Sequence, residues 1–283
     1  MLCKRSLAVL GGLLASLVLA AACMSTQSAA HPGLYMPCAN SAGLPLLEYE
    51  IVRRLPHDPA AYTQGLLLHQ GVLFESTGLY GHSSLRRLEQ STGQTLAQLK
   101  LPEHLFGEGL ALAHGKLYQL SWREGEVRIY QPESLQLLAT KRIQGEGWGL
   151  TYDGSRLIQT DGSAELIFRH PEDLTESHRT RVRAAGRAVS GLNELEYVQG
   201  YVLANIYPSD CIAVIDASSG RVAAWLDLHP LAAEVRRQAP RAEVSNGIAH
   251  DAAKNTFYVT GKRWPQLFEI RLKDWPAAAP DRQ

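Results

Sequence analysis

The chain has 283 residues, with 28 Lys and Arg against 28 Asp and Glu, so its formal net charge is zero. This balance argues against a nucleic-acid-binding protein, because that class carries a basic excess or a basic patch. A composition of 45% hydrophobic and 20% charged residues is typical of an ordered globular protein and excludes an intrinsically disordered chain.

The first 23 residues, MLCKRSLAVLGGLLASLVLAAAC, have the pattern of a bacterial secretory signal. Lys4 and Arg5 precede an apolar run that is short for a membrane-spanning helix, and three alanines follow it. We therefore predict a signal peptide over residues 1–23 and an N-terminal extension over 24–46. Cys23 leaves two alternatives open: it is removed, or it is the lipidated first residue of a lipoprotein and the protein's one link to a membrane. In both cases we expect a periplasmic or secreted protein.

Two further cysteines, Cys38 and Cys211, remain in the mature chain. In an oxidising compartment they form one disulfide, or they stay independent thiols, and sequence does not decide between these alternatives. The chain has no His and Cys cluster with the spacing of zinc ligands, so we expect no metal site.

From Tyr62 onward the sequence repeats itself five times. Each repeat opens on a short apolar stretch that follows Gly or Asn: TQGLLL at 63–68, GEGLAL at 107–112, GWGLTY at 147–152, LNELEY at 192–197 and SNGIAH at 245–250. The spacings between corresponding residues are 44, 40, 46 and 52, and strands with alternating polarity follow each opening. Four strands at this period are typical of a β-propeller blade.

The fifth repeat lacks its fourth strand, and LEYEIVRRL at 47–55 can supply it. This exchange would close the ring and remove its exposed strand edges. We therefore predict an all-β, five-bladed propeller over residues 47–276, closed by an N-terminal strand, with a tail at 277–283. A closed ring favours a monomer. The insertion at 229–243 is predicted as a surface loop, with a short helix as the alternative.

The loops that enter the innermost strands of a propeller form one rim, so residues distant in sequence meet there. This predicted rim comprises Tyr62, Thr63, Gln64, Phe106, Glu108, Glu146, Trp148, Asn193, Glu194, Ser245 and Asn246, with Glu75, Trp122, Asp161, Tyr207 and Lys262 at the ends of the second strands. Polar residues at blade turns often satisfy only buried backbone groups, and we expect Glu146 and Asp161 to be purely structural.

Several motifs along residues 47–275 resemble those of one family. They are YTQGL, ESTGLYGHSSLR, FGEGL, LYQLSW, GEGWGL, LNELEY, NIYPSD, SNGIAHD and VTGKRWP. They are similar to the glutaminyl-peptide cyclotransferases of the plant and bacterial type. The resemblance implies a five-bladed propeller that converts the N-terminal glutamine of peptides and proteins to pyroglutamate, releases ammonia and uses no cofactor or metal.

The resemblance also implies a role for individual residues. Glu108 falls on the family's acid/base, and Lys262 on a group that stabilises the carbonyl oxygen. Asn193 and Gln64 fall on positions that hydrogen-bond the glutamine amide and backbone. The implied aromatic walls are Tyr62, Phe106, Trp122, Trp148 and Tyr207. Tyr207 stands where plant members carry tryptophan, which puts the width of the pocket in question rather than the reaction.

The residues leave two other functions open. One is a metal-dependent propeller lactonase or hydrolase, with Glu108, Asn193, Asn246 and Asp161 as ligands. Lys262 would be an unfavourable neighbour for its cation. The other is a propeller that binds peptides without catalysis, which needs the aromatic rim but not Glu108 as an acid/base.

Overall fold

The computed structural model describes Cys38 and residues 43–276. In chain order the strands are β1 (Leu46–Leu47), β2 (Tyr49–Pro56), β3 (Thr63–His69), β4 (Val72–Thr77), β5 (Ser84–Glu89), β6 (Thr95–Lys100), β7 (Gly107–Ala113), β8 (Lys116–Ser121), β9 (Glu126–Tyr130), β10 (Leu137–Arg142), β11 (Leu150–Tyr152), β12 (Leu157–Gln159), β13 (Glu165–Arg169), β14 (Glu176–Arg181), β15 (Arg183–Ala184), β16 (Arg187–Ala188), β17 (Leu192–Val198), β18 (Tyr201–Ile206), β19 (Cys211–Asp216), β20 (Val222–Asp227), β21 (Ser245–Asp251), β22 (Thr256–Gly261) and β23 (Gln266–Leu272). The helix α1 (His229–Gln238) lies between β20 and β21. The predicted signal peptide and C-terminal tail lie outside the described residues.

These strands build five blades, as the repeats predict. Strands β3 to β6, β7 to β10, β11 to β14 and β17 to β20 form four consecutive antiparallel meanders. The fifth blade has the order β2-β23-β22-β21, and its outer strand comes from the N-terminal side. Strand β2 pairs antiparallel with β23 from Tyr49 opposite Leu272 to Pro56 opposite Gln266. The prediction of a five-bladed propeller closed by an N-terminal strand is therefore confirmed.

The hydrophobic core of the described residues is divided among the blade interfaces. Five clusters of buried apolar side chains are present, and each lies between two neighbouring blades. The cluster between blades five and one joins Leu55 of β2 to Leu66 and Leu73 of the first blade. Because β2 contributes Leu55 to this cluster, ring closure buries apolar surface as well as pairing a strand edge.

The insertion at 229–243 contains a helix, so the predicted surface loop is wrong. Pro230 stands in the first turn of α1, where its missing N–H costs nothing. Leu231, Ala232 and Val235 lie on one face and are buried in the cluster between blades four and five. This apolar spacing of one and four residues supports a helix over a loop.

The N-terminal extension is attached to the fourth blade at two points. Strand β1 pairs parallel with β20, placing Leu46 opposite Trp225. Cys38 and Cys211 form a disulfide whose Cα atoms are 5.8 Å apart. Of the two alternatives left by the sequence, the structure has the disulfide. None of the described helices has the length and apolar character of a membrane span.

A buried ion pair lies at the seam between the last and first blades. His57 Nε2 is 2.9 Å from Glu75 Oε1, and both side chains are shielded from solvent. Burial opposes the charge on His57, but Glu75 outweighs it and raises the pKa of His57. Burial likewise opposes the charge on Glu75, but His57 and then Arg86 outweigh it and lower the pKa of Glu75. The stability from this pair is therefore lost as pH rises through the folded-state pKa of His57, or falls through that of Glu75.

Replacing one partner of this pair should destabilise the fold. We expect His57→Gln to lower the free energy of unfolding by about 3 kcal/mol at pH 6, because Glu75 keeps a buried charge with a weaker partner. Urea denaturation measures this change. The exposed pair between Lys273 and Glu48, at the other end of the β2–β23 pairing, supplies the control. Lys273→Met should leave the urea midpoint unchanged, and equal midpoints for His57→Gln and the wild type would contradict the prediction.

Candidate active site

One cavity of about 190 Å³ opens at the rim of the propeller. It is lined by Tyr62, Gln64, Phe106, Glu108, Trp122, Trp148, Asn193, Tyr207 and Lys262. These are the nine site residues that the resemblance implies, and all five blades contribute to them. Pockets for drug-sized ligands measure about 300–1,000 Å³, so this cavity suits a single amino-acid residue.

The polar site residues lie where the innermost strands lose their regular register. The pairing shifts between Thr63 and Gly65 in β3, between Gly107 and Leu110 in β7 and between Leu192 and Leu195 in β17. Gln64, Glu108 and Asn193 fall inside these three irregularities. A β-bulge re-aims a side chain and interrupts strand pairing, so these irregularities explain how strand residues reach the cavity.

Glycines next to the site let the innermost strands approach backbone to backbone. A Cβ atom on Gly149 would lie 1.9 Å from the carbonyl oxygen of Asn193, and one on Gly109 would lie 2.4 Å from the nitrogen of Leu150. No side chain fits at such distances. The repeated glycines of the sequence are therefore required by packing around the axis.

Glu108 is buried at the base of the cavity and keeps one oxygen free. Its Oε1 accepts a 2.6 Å hydrogen bond from Gln64 Nε2. In the described part of the chain, no group donates to its Oε2. Burial raises the pKa of Glu108 well above its usual value, although Lys262 and Gln64 oppose this shift. Glu108 therefore holds its proton to a higher pH than an exposed carboxyl group does, a change that suits a group that takes and returns a proton.

Lys262 is buried between two aromatic faces. Its Nζ lies 4.9 Å from the ring centroids of both Tyr62 and Tyr207. No ion pair joins it to a carboxylate of the described residues, and burial lowers its pKa against the opposing effect of Glu108 and Glu243. Cation–π attraction from the two rings compensates part of this desolvation. The ammonium group therefore keeps its donors available to a ligand.

The aromatic walls pack edge to face around the cavity. The ring of Phe106 lies 6.1 Å from that of Tyr62 and 5.4 Å from that of Trp122. Tyr80, which was not among the predicted site residues, packs against Phe106 with 5.4 Å between the ring centroids and is half exposed. Its place within the motif ESTGLYGHSSLR was the available signal. Such walls desolvate whatever enters the cavity.

Glu146 holds two of these walls in place. Its Oε2 accepts hydrogen bonds from the indole nitrogens of Trp122 at 2.8 Å and Trp148 at 2.9 Å, and its Oε1 accepts one from Arg123. Burial opposes its charge, but the donors, Trp148 first, outweigh this and lower its pKa. We expected a purely structural residue at this position, yet it orients two side chains of the cavity.

The insertion before the fifth blade borders the site through Glu243. The hydroxyl of Tyr62 donates to Glu243 Oε2 at 3.2 Å, and the indole of Trp264 donates to the Glu243 carbonyl at 2.9 Å. The insertion that was predicted as a loop therefore contacts a residue that lines the cavity. Its contribution was invisible in the sequence because no repeat marks these residues.

Several other rim residues of the prediction do not line the cavity. They are Thr63, Glu75, Glu146, Asp161, Glu194, Ser245 and Asn246. Glu75 is engaged with His57, and Asp161 accepts a hydrogen bond from the backbone of Ser163 within its own turn. Glu194 accepts a 3.0 Å bond from the backbone nitrogen of Leu66, and burial raises its pKa well above normal. It links blades four and one at the axis.

The family model for glutamine cyclotransferases matches residues 14–272 of the chain. The chain belongs to this family. It is 41% identical over 229 residues to the glutaminyl-peptide cyclotransferase of Arabidopsis thaliana, a match that covers 80% of this chain and 72% of the relative. The crystal structure of Myxococcus xanthus glutaminyl cyclase is 38% identical, with a TM-score of 0.75, and the match covers 81% of this chain and 98% of that one. The likeness to both relatives spans most of the propeller.

The donor set of the cavity does not favour the metal-dependent alternative. Within the described residues, the group of His, Cys, Asp and Glu atoms close enough to share an ion is Cys38, Cys211 and Asp227, and its two sulfurs are joined to each other. In the cavity, Glu108 is the one carboxylate and Lys262 places a positive charge beside it. Together with family membership, this arrangement favours the cyclotransferase over a lactonase.

Removing the Glu146 carboxylate should loosen the tryptophan walls. We expect Glu146→Ala to red-shift tryptophan emission and increase quenching by acrylamide, because two indole nitrogens lose their acceptor. Glu146→Gln keeps one oxygen able to accept both bonds and should stay near the wild type. Glu124→Ala, which removes the acceptor of the Tyr80 hydroxyl instead, is the control. Unchanged emission in Glu146→Ala would contradict this role.

Proposed function

We propose that the protein is a glutaminyl-peptide cyclotransferase that acts on peptides and proteins with an N-terminal glutamine. The α-amine attacks the γ-amide carbon of the same residue, ammonia leaves and a pyroglutamyl N-terminus forms. The observation that carries this proposal is the buried Glu108 carboxyl group with a free oxygen, at the base of a cavity the size of one residue. Family membership supports the same reaction.

In this proposal, Glu108 both binds and activates the substrate amine. A free α-amine has a pKa of about 7.7–8.0, so part of the substrate arrives as an ammonium ion that pairs with Oε2. Burial penalises the two charges together and favours the neutral pair of carboxylic acid and amine. The proton therefore passes to Glu108, and the amine becomes a nucleophile without leaving the site.

The reaction then needs no nucleophile from the protein. The amine nitrogen forms a bond to the amide carbon, and the carbonyl oxygen takes the negative charge. Glu108 gives the proton it took from the ammonium ion to the departing nitrogen, the carbon–nitrogen bond of the amide breaks, and ammonia leaves. The Glu108 carboxylate then takes the extra proton from the ring nitrogen and releases it to solvent, which leaves the neutral lactam. The protein's contribution is to fold the glutamine side chain back against its own amine. The walls of Phe106, Trp122 and Trp148 supply this confinement.

In this proposal, Lys262 and Asn193 bind the γ-amide group of the substrate glutamine. Lys262 lines the same cavity as Glu108, has its donors available and can stabilise the oxyanion that forms during attack. Asn193 is buried and its Oδ1 has no donor among the described residues, so it can accept from the leaving amide nitrogen. Both groups act through hydrogen bonds and charge, so the proposed mechanism uses no metal.

We propose further that the protein is exported, with residues 1–23 removed or with Cys23 carrying a lipid. The disulfide between Cys38 and Cys211 supports an oxidising compartment. Mass spectrometry of the mature protein tests this. A chain beginning after residue 23, or at a lipid-modified Cys23, is expected, and retention of Met1 in the native host would contradict export.

The first test measures ammonia release from a Gln-initiated dipeptide with and without a strong chelator. We expect equal rates in both samples. Glu108→Gln should lower kcat by about 10²–10⁴-fold, the range for loss of a general acid/base, with an unchanged melting temperature. Ammonia lost with the chelator would favour a metal-dependent enzyme. No ammonia from the wild type would leave a peptide-binding propeller.

The pH profile tests the assignment of Lys262. Activity requires ionised Glu108, so kcat/KM falls as pH drops through its raised pKa. The charge of Lys262 lowers that pKa, so Lys262→Met should move the acid limb to higher pH and lower kcat by about 10²–10³-fold. Lys262→Arg keeps the charge and should keep the acid limb. An unmoved limb in Lys262→Met would contradict electrostatic contact between the two groups.

A further inference from the structure

Three buried side chains from three different repeats form a single line of hydrogen bonds that ends at the proposed acid/base. Asn246 Nδ2 donates to Gln64 Oε1 at 3.0 Å, and Gln64 Nε2 donates to Glu108 Oε1 at 2.6 Å. Asn246 is fully buried and does not line the cavity. It therefore reaches the site through Gln64 and not through a ligand.

The direction of these bonds matters because an amide has two unlike ends. Gln64 can present either its NH₂ group or its oxygen to Glu108, and an ionised carboxylate can only accept. With the oxygen facing Glu108, the carboxylate would lose a donor and face a repulsive dipole. Asn246 presents NH₂ to the far end of Gln64, which fixes the oxygen there and the NH₂ group on Glu108.

Asn246 is itself held in one orientation. Its Nδ2 also donates to the backbone carbonyl of Thr63 at 3.0 Å. It stands in the register irregularity of β21, followed by Gly247 at φ +116°. The Gly247 nitrogen donates to Asn205 Oδ1 at 3.1 Å. Because two acceptors face the Asn246 nitrogen, the opposite amide orientation would place oxygen against oxygen.

We propose that Asn246 is a positioning residue that keeps Glu108 ionisable by fixing the orientation of the Gln64 amide. The Gln64 donor opposes the effect of burial on Glu108 and leaves Oε2 for the substrate amine. Without Asn246, the Gln64 amide can rotate and exchange the positions of its oxygen and NH₂ group. Glu108 then holds its proton to a higher pH. This inference rests on the proposed function, because it concerns the group assigned as the acid/base.

The test is the acid limb of the kcat/KM profile in Asn246→Leu, a variant of similar volume without a donor. We expect the limb to move up by about one pH unit, since one unit corresponds to about 1.4 kcal/mol and a hydrogen bond to a charged group contributes about 1.5–3 kcal/mol. Asn205→Leu is the matched control. It removes the support of the same irregularity in β21 without touching Gln64, so its acid limb should not move.

A double-mutant cycle separates action through Gln64 from any other effect. On a Gln64→Leu background, adding Asn246→Leu should cause no further shift of the acid limb. The Asn246 hydrogen bond to Thr63 is lost on both backgrounds, so its effect cancels in the cycle. An equal shift on that background, an equal shift in Asn205→Leu, or an unmoved limb in Asn246→Leu would overturn the proposal. If Asn246→Leu does not fold, Asn246→Ala replaces it on both backgrounds with the same expectations.

A measurement without turnover keeps this proposal distinct from the proposed function. The ionisation of Glu108 can be followed by carboxyl ¹³C NMR, with Glu108→Gln to assign the signal. We expect its pKa to rise in Asn246→Leu and to stay in place in Asn205→Leu. A wild type that releases no ammonia would contradict the proposed function. If the wild type is active and Glu108 has the same pKa in Asn246→Leu as in the wild type, the positioning role of Asn246 would be contradicted.

Discussion

The close approach of the innermost strands around the propeller axis is the constraint on which the site depends. At Gly109 and Gly149 the neighbouring backbone occupies the space where a Cβ would stand. The regular strand pairing also breaks near the start of β3, β7, β17 and β21. Gln64, Glu108, Asn193 and Asn246 occupy those breaks, so the packing that closes the ring also brings the polar groups together.

The second constraint is electrostatic. Burial raises the pKa of Glu108 and lowers that of Lys262, so burial favours the uncharged form of each group. The aromatic side chains that line the cavity exclude water from both. Glu146 supports this exclusion indirectly, because it accepts hydrogen bonds from the indole nitrogens of two walls and so holds them in place.

The sequence predicted what is repeated and missed what is not. The spacing of glycines and strands was sufficient to predict five blades. The missing fourth strand of the last repeat was sufficient to predict that residues 47–55 close the ring. The nine cavity residues followed from motif resemblance and not from spacing. The helix at 229–238 was missed although its apolar spacing is local. The formation of the disulfide between Cys38 and Cys211 and the orientation of the Gln64 amide depend on contacts between residues more than a hundred positions apart. No local pattern encodes such contacts, so Glu146 and Asn246 could be placed on the rim but not given a partner.

The separation of Lys262 from Glu108 follows from what the reaction requires. A direct ion pair would depress the pKa of Glu108 and occupy the donors of Lys262, which would weaken both the base and the oxyanion contact. The structure instead balances the lysine charge with the faces of Tyr62 and Tyr207, which attract a cation without competing for a proton. Tyr207 supplies one of these two faces, so this wall of the cavity takes part in balancing the lysine charge.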